Sequence, residues 1–149
     1  MLVDHKRASQ ISQLALLRKA ESSAAAEGLR TALHDYDTAK AVRDRQAAQC
    51  DEADSVWQHM IGAERPDPAF TRLAGSWLVS QERELEAEQL NLAIVRNRLA
   101  VAEGEYSQAL AKQAAVKKIC RKFDFAIAKY LDEVQSWNVI DAALRRWKK

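Results

Sequence analysis

Along the second half of the chain, apolar residues recur at alternating steps of three and four. The run starts Leu78, Gln81, Leu85 and ends Trp137, Asp141, Leu144. Sixteen of its twenty positions are apolar, in one unbroken phase; the exceptions are Gln81, Glu88, Gln113 and Asp141. A period of 3.5 residues places every such side chain on one stripe of an α-helix and predicts a left-handed supercoil with a partner helix. A shorter run with the same spacing lies in the first half, from Leu29 through Tyr36, Ala39, Cys50 and Ala53 to Trp57 and Met60. Ile11, Ala15, Arg18, Ser22 and Ala25 continue it upstream, but Leu14, Leu16 and Leu17 fall off it, so a stutter or an extra contact face is expected there.

The two runs are separated by IGAERPDPAF. Gly62 suits the left-handed position just past a helix end. Asp67 is a good N-cap, and Pro68 suits the first helical position, where its missing N–H is not needed. The pattern predicts one all-α domain over residues 1–149: helix 1 about 4–61, a turn at 62–67 and helix 2 about 68–147. A turn this short makes the helices antiparallel neighbours in a coiled-coil hairpin, helix 2 the longer, with facing residue numbers adding to about 131. At about 1.5 Å per residue, helix 1 is roughly 85–90 Å and helix 2 roughly 115–120 Å long. Helix 2 then runs past helix 1 by about 15–20 residues at the open end. In this register Cys50 and Cys120 lie on the order of 60 Å apart and cannot pair. A two-helix seam has no thick core, and its stability is expected from Leu, Val, Tyr and Trp knobs. Gly28 and Gly104 fall at the same level; they either accommodate a bulky neighbour or mark a soft point.

Composition agrees with long helices. Only 4 Gly and 2 Pro occur in 149 residues. The first ten residues, MLVDHKRASQ, hold no apolar stretch that a signal peptide needs, and no run of apolar residues is long enough for a membrane span. Two cysteines without metal-ligand spacing fit a cytoplasmic protein. The net charge of +2 hides an asymmetry: residues 1–20 carry +3, residues 21–111 carry −7 and residues 112–149 carry +6.

Candidate chemistry is sparse. No Walker A, GxGxxG, HExxH or GxSxG motif is present, so no catalytic residues are expected. His5, His34 and His59 sit on one helix and cannot converge, and His34 beside Asp35 and Asp37 reads as solvated surface. The acidic run Glu82–Glu88 lacks the Glu-x-x-His motif of helical metal sites, so neither metal nor cofactor is expected. Lys117, Lys118, Arg121 and Lys122 share one helical side and suit either solvent or an acidic protein partner. Nucleic acid is disfavoured by the small net charge. Past the expected end of helix 1, helix 2 still carries Val134, Trp137, Val139, Ile140, Leu144 and Trp147. Large apolar residues without a facing helix mark a binding surface, or else a back-fold onto residues 1–17 or self-association. Arg145, Arg146, Lys148 and Lys149 suit a helix C-terminus. Phe70, Leu73, Trp77 and Leu78 open helix 2. The first three either pack on Trp57, Met60 and Ile61 and close the turn, or form a second contact site there with Leu78.

Two unequal helices, one turn before the middle and a longer basic second helix resemble the central stalk proteins of type III secretion, the FliJ/YscO-like family. Stretches such as LLRKAESSAAAEGLRTALHDYDTAKA and RNRLAVAEGEYSQALAKQAAVKKI carry the likeness, which spans nearly the whole chain. The resemblance implies a non-enzymatic bacterial protein at the cytoplasmic face of the inner membrane. Its partners would be a hexameric secretion ATPase, the cytoplasmic domain of the export gate and, for some members, export chaperones. The open end, residues 1–20 and 112–149, would enter the ATPase ring, and the turn side, Phe70 to Leu85, would face the gate. Such a protein is expected to be a monomer in isolation. The competing readings are a self-assembling coiled-coil scaffold and an export chaperone-like binding protein.

Overall fold

A computed structural model describes residues 2–148, with side chains from residue 5 onward. It contains two helices, α1 (Leu2–Ile61, 60 residues) and α2 (Pro68–Trp147, 80 residues). The fold is all-helical, with the second helix the longer and the two packed against each other as a hairpin. Helix 1 begins at Leu2 rather than near residue 4, a difference within the fraying of any helix end.

The turn is built by its prolines. Each proline disfavours helical backbone in the residue before it, so Pro66 and Pro68 keep Arg65 and Asp67 out of either helix. Asp67 then caps α2: its carboxylate accepts the Ala69 N–H at 2.9 Å, and its carbonyl accepts the Thr71 N–H at 2.9 Å. The expectation for Gly62 fails, because no described glycine has positive φ. Gly62 instead donates its N–H to the Gln58 carbonyl at 3.1 Å, which extends the helical bonding by one residue. A Cβ there would lie 3.2 Å from that oxygen, so a tight approach, not a left-handed backbone, favours glycine.

By its contacts the chain divides into two units, Ala25–Glu105 and Met1–Ala24 with Tyr106–Lys149. In the first, Ala39, Leu92 and Val95 form a buried cluster with Tyr36 against it. Gln46 bonds Gln81, and Trp57 lies over Gly75. These pairs fit the register expected from the turn length. From Leu78 to Phe123 every residue of the α2 stripe is buried or half-buried, and every other residue is exposed. Burial thus follows the 3.5-residue spacing residue by residue.

The seam holds Leu, Val, Tyr and Trp side chains, but its most buried positions are mostly small. Of the seven buried apolar residues described, four are alanines: Ala39, Ala53, Ala74 and Ala109. The register sets Ala39 level with Leu92, Ala53 with Leu78 and Ala15 with Val116. A small residue on one helix meets a larger one on the other, which lets the backbones approach without leaving voids. Gly28 and Gly104 accommodate nothing: a Cβ at either would find no atom within 4 Å.

In the second unit, residues 8–22 of α1 cover α2 through Phe123. Leu14 is half-buried, whereas Leu16 and Leu17 are exposed. Among the described residues beyond Phe123, only Val134 is half-buried. The back-fold onto residues 1–17 does not occur, because α2 continues unbroken to Trp147.

Candidate functional site

Three features stand apart from the seam. The first is the C-terminal stretch of α2. The stripe continues there in the same phase through Ile127, Tyr130, Trp137 and Leu144, yet all four are exposed. Trp137 is 70% and Trp147 93% exposed, and Ile140 and Leu144 are also open. Where α1 begins, an open groove of about 420 Å³ is lined by His5, Ala8, Phe123, Ile127, Tyr130 and Leu131. Polar atoms contribute little to its lining, so it suits an apolar side chain better than a charged ligand. Lys117, Lys118, Arg121 and Lys122 are exposed and make no ion pair among those described. Arg145 donates to Asp141 at 3.0 Å across one helical turn; both side chains are exposed. Lys149 lies outside the described residues.

The second feature is the start of α2. Thr71, Ala74 and Gly75 take the inner positions, so Phe70 and Leu73 point outward, 58% and 67% exposed, and Trp77 sits at the rim at 38%. Phe70 and Leu73 thus stand open, while Trp77 is largely covered. The physical reason is Gly75: a Cβ there would lie 3.0 Å from the Trp57 ring, so the indole closes this level against a bare backbone. Leu78 is half-buried and belongs to the seam, not to the exposed patch. Sequence reading counted Gly75 as neither cap nor contact; a glycine level with a tryptophan in the register was the available signal.

The third feature was missed. Leu90, Ile94 and Val101 form an exposed line on the side of α2 away from the seam. They sit at one-turn and two-turn spacings but off the dominant stripe, which drew attention away from them.

Polar chemistry is confined to isolated pairs. Gln46, itself buried, donates through Nε2 to Gln81 Oε1 at 2.8 Å and to the Gln81 carbonyl at 3.2 Å. Arg96 donates through Nη2 to the Tyr36 hydroxyl at 3.4 Å and lies 5.9 Å from the ring centroid. That hydrogen bond, and then the guanidinium charge, hold the Tyr36 phenol below its ordinary pKa. Burial pushes the Cys50 thiol up, and Glu82, Asp51 and Asp54 push the same way. Cys50 and Cys120 are both free. His5, His34 and His59 are all exposed, and His34 and His59 are roughly seven turns apart on α1. Among the described residues no group of three or more His, Cys, Asp or Glu side chains is placed to hold a metal ion. Among them, too, no helix is long and apolar enough to cross a membrane.

Geometry and packing thus define an all-helical hairpin whose unspent surfaces are apolar patches on single helices. No protein-family model matches the sequence, and neither a curated protein nor a solved structure matches it.

Proposed function

We propose that this chain is a non-enzymatic central stalk component of a type III protein secretion apparatus. It contacts the hexameric secretion ATPase and the export gate and couples ATP hydrolysis to protein export. The observation that carries this reading is the C-terminal stretch of α2: a helix that keeps its apolar stripe after its partner helix has ended, with Trp137 and Trp147 open. Tryptophan is enriched at the energetic centres of protein interfaces, and large open apolar residues on one face mark an interaction surface. In this assignment the open-end residues Lys117, Lys118, Arg121, Lys122, Val134, Trp137, Ile140, Leu144 and Trp147 engage the ATPase ring. Phe70, Leu73 and Trp77 engage the cytoplasmic domain of the gate. The sequence pattern gives these surfaces opposite charge surroundings, +6 over residues 112–149 and −7 over residues 21–111, which suits two different partners. The mechanism is mechanical, and the ATPase performs all the chemistry. Work takes place on the cytoplasmic side of the inner membrane.

The test is co-purification with a candidate secretion ATPase, comparing the full chain with one truncated after Tyr130. The proposal expects the full chain to be retained and the truncated one lost. Equal retention of both would remove the role given to the C-terminal stretch. The line Leu90, Ile94 and Val101 favours a second reading, a self-assembling scaffold in which hairpins pack side by side through this face. Leu90→Glu should then break the assembly.

A further inference from the structure

Residues 124–148 carry four cations and four anions, but not evenly. Asp124, Asp132 and Glu133 fall in the first part, with Lys129 the one cation there; Arg145, Arg146 and Lys148 fall at the end. The first part is net negative and the end net positive. With Lys149 the excess over residues 124–149 is a single positive charge, a weak attraction for an acidic protein or an anionic lipid surface. Laid against a copy of itself, it behaves differently according to direction. Parallel pairing sets like charges side by side; antiparallel pairing sets the acidic part of each copy beside the basic part of the other.

The apolar pattern points the same way. The stripe that packs α2 on α1 continues into this stretch without a change of phase, so it presents a coiled-coil face, and the charges set the direction of its pairing. We propose that in the free protein the C-terminal part of α2, residues 131–147, pairs antiparallel with the same part of a second copy, about a two-fold axis near Val139. Pairing over these residues shares only Leu131 with the groove that the first turns of α1 border at Phe123 to Leu131. Val134 of one copy then lies opposite Leu144 of the other, and the two Ile140 side chains meet beside the axis. The contact is isologous and closes on itself, so it yields a dimer and not a filament. Four tryptophans, Trp137 and Trp147 from each copy, contribute about 150–250 Å² each. Fully buried, they supply about 600–1,000 Å², roughly a third to four-fifths of a standard interface of about 1,200–2,000 Å². The inference goes beyond the stalk reading. The same face serves the ATPase in that reading, so the two contacts compete, and the monomer expected from the family resemblance becomes the engaged form.

The test is light scattering of the full chain from micromolar to hundreds of micromolar, with Trp137→Glu, Leu144→Glu and Leu90→Glu variants checked for unchanged helicity by circular dichroism. The wild-type mass should rise toward twice 16.8 kDa. Trp137→Glu and Leu144→Glu should weaken the dimer by more than about tenfold, as loss of a central interface residue does, and Leu90→Glu should not. Spin labels at Lys148→Cys, with Cys50→Ser and Cys120→Ser, should lie about 25–30 Å apart in the dimer. A single-chain mass at every concentration overturns the proposal. So does a dimer broken by Leu90→Glu but not by Trp137→Glu, and so does a label separation near 10 Å, which would mean parallel pairing. No ATPase enters these measurements, so their failure leaves the stalk reading to its own test.

Discussion

Gln46 and Gln81 form a hydrogen-bonded polar pair across the seam, and their value lies in specificity more than in energy. A buried amide pair is satisfied only in one register, whereas alanines and leucines tolerate a slip of one heptad. Gln46→Ala leaves the Gln81 amide without its partner and should cost about 1–2 kcal/mol in urea unfolding. Replacing both by leucine should recover that loss, because two apolar groups need no partner, while the register becomes less unique. Cys50 is a second probe at this level. Burial comes first and the neighbouring carboxylates second in raising its pKa, so the folded state favours the neutral thiol. The thiol's contribution to stability is complete below the unfolded thiol pKa and is lost as pH rises through the higher folded value. Maleimide labelling of Cys50 in a Cys120→Ser chain should therefore be slow at neutral pH. It should accelerate only at pH values above those that activate the same residue in urea. Labelling that tracks an unfolded thiol at every pH would contradict the burial described for this position.

Glycines and caps decide how the two helices behave as elements. Gly28 and Gly104 sit in helix interiors with open space around them. Alanine at either should stabilise the fold by about 0.5–1 kcal/mol, since it restricts the unfolded chain and meets nothing in the folded one. Equilibrium unfolding of the single and double variants measures this, and a loss of stability would mean that the open space is occupied. Asp67→Ala removes the cap on α2 and should cost about 1 kcal/mol in the same assay. The α2 stripe was legible in the sequence because one period ran unchanged from Leu78 through Phe123, and the burial follows it position by position. The turn was legible in its limits but not in its packing. Periodicity places residues on faces; it does not say which of two neighbouring faces a large ring will occupy when a glycine opposite leaves room. Trp57 over Gly75 settles that choice and turns Phe70 and Leu73 outward. The Leu90, Ile94 and Val101 line was hidden for a related reason: a weaker pattern is masked when a stronger one shares the helix.

At the scale of the molecule, the α1–α2 seam takes up only part of the large apolar residues. The side chains with the greatest capacity for binding, Trp137, Trp147, Phe70 and Leu73, are left open. Large open apolar residues mark an interaction surface, and the proposed stalk role assigns these surfaces to an ATPase and a gate. The measurement that tests this most directly is the hydrolysis rate of a purified hexameric secretion ATPase with and without the full chain, alongside Trp137→Glu. The account predicts that the chain raises the rate saturably and that Trp137→Glu, still helical, raises it less or not at all. A rate that does not change with the chain present, or one that Trp137→Glu raises as fully as wild type, would contradict it.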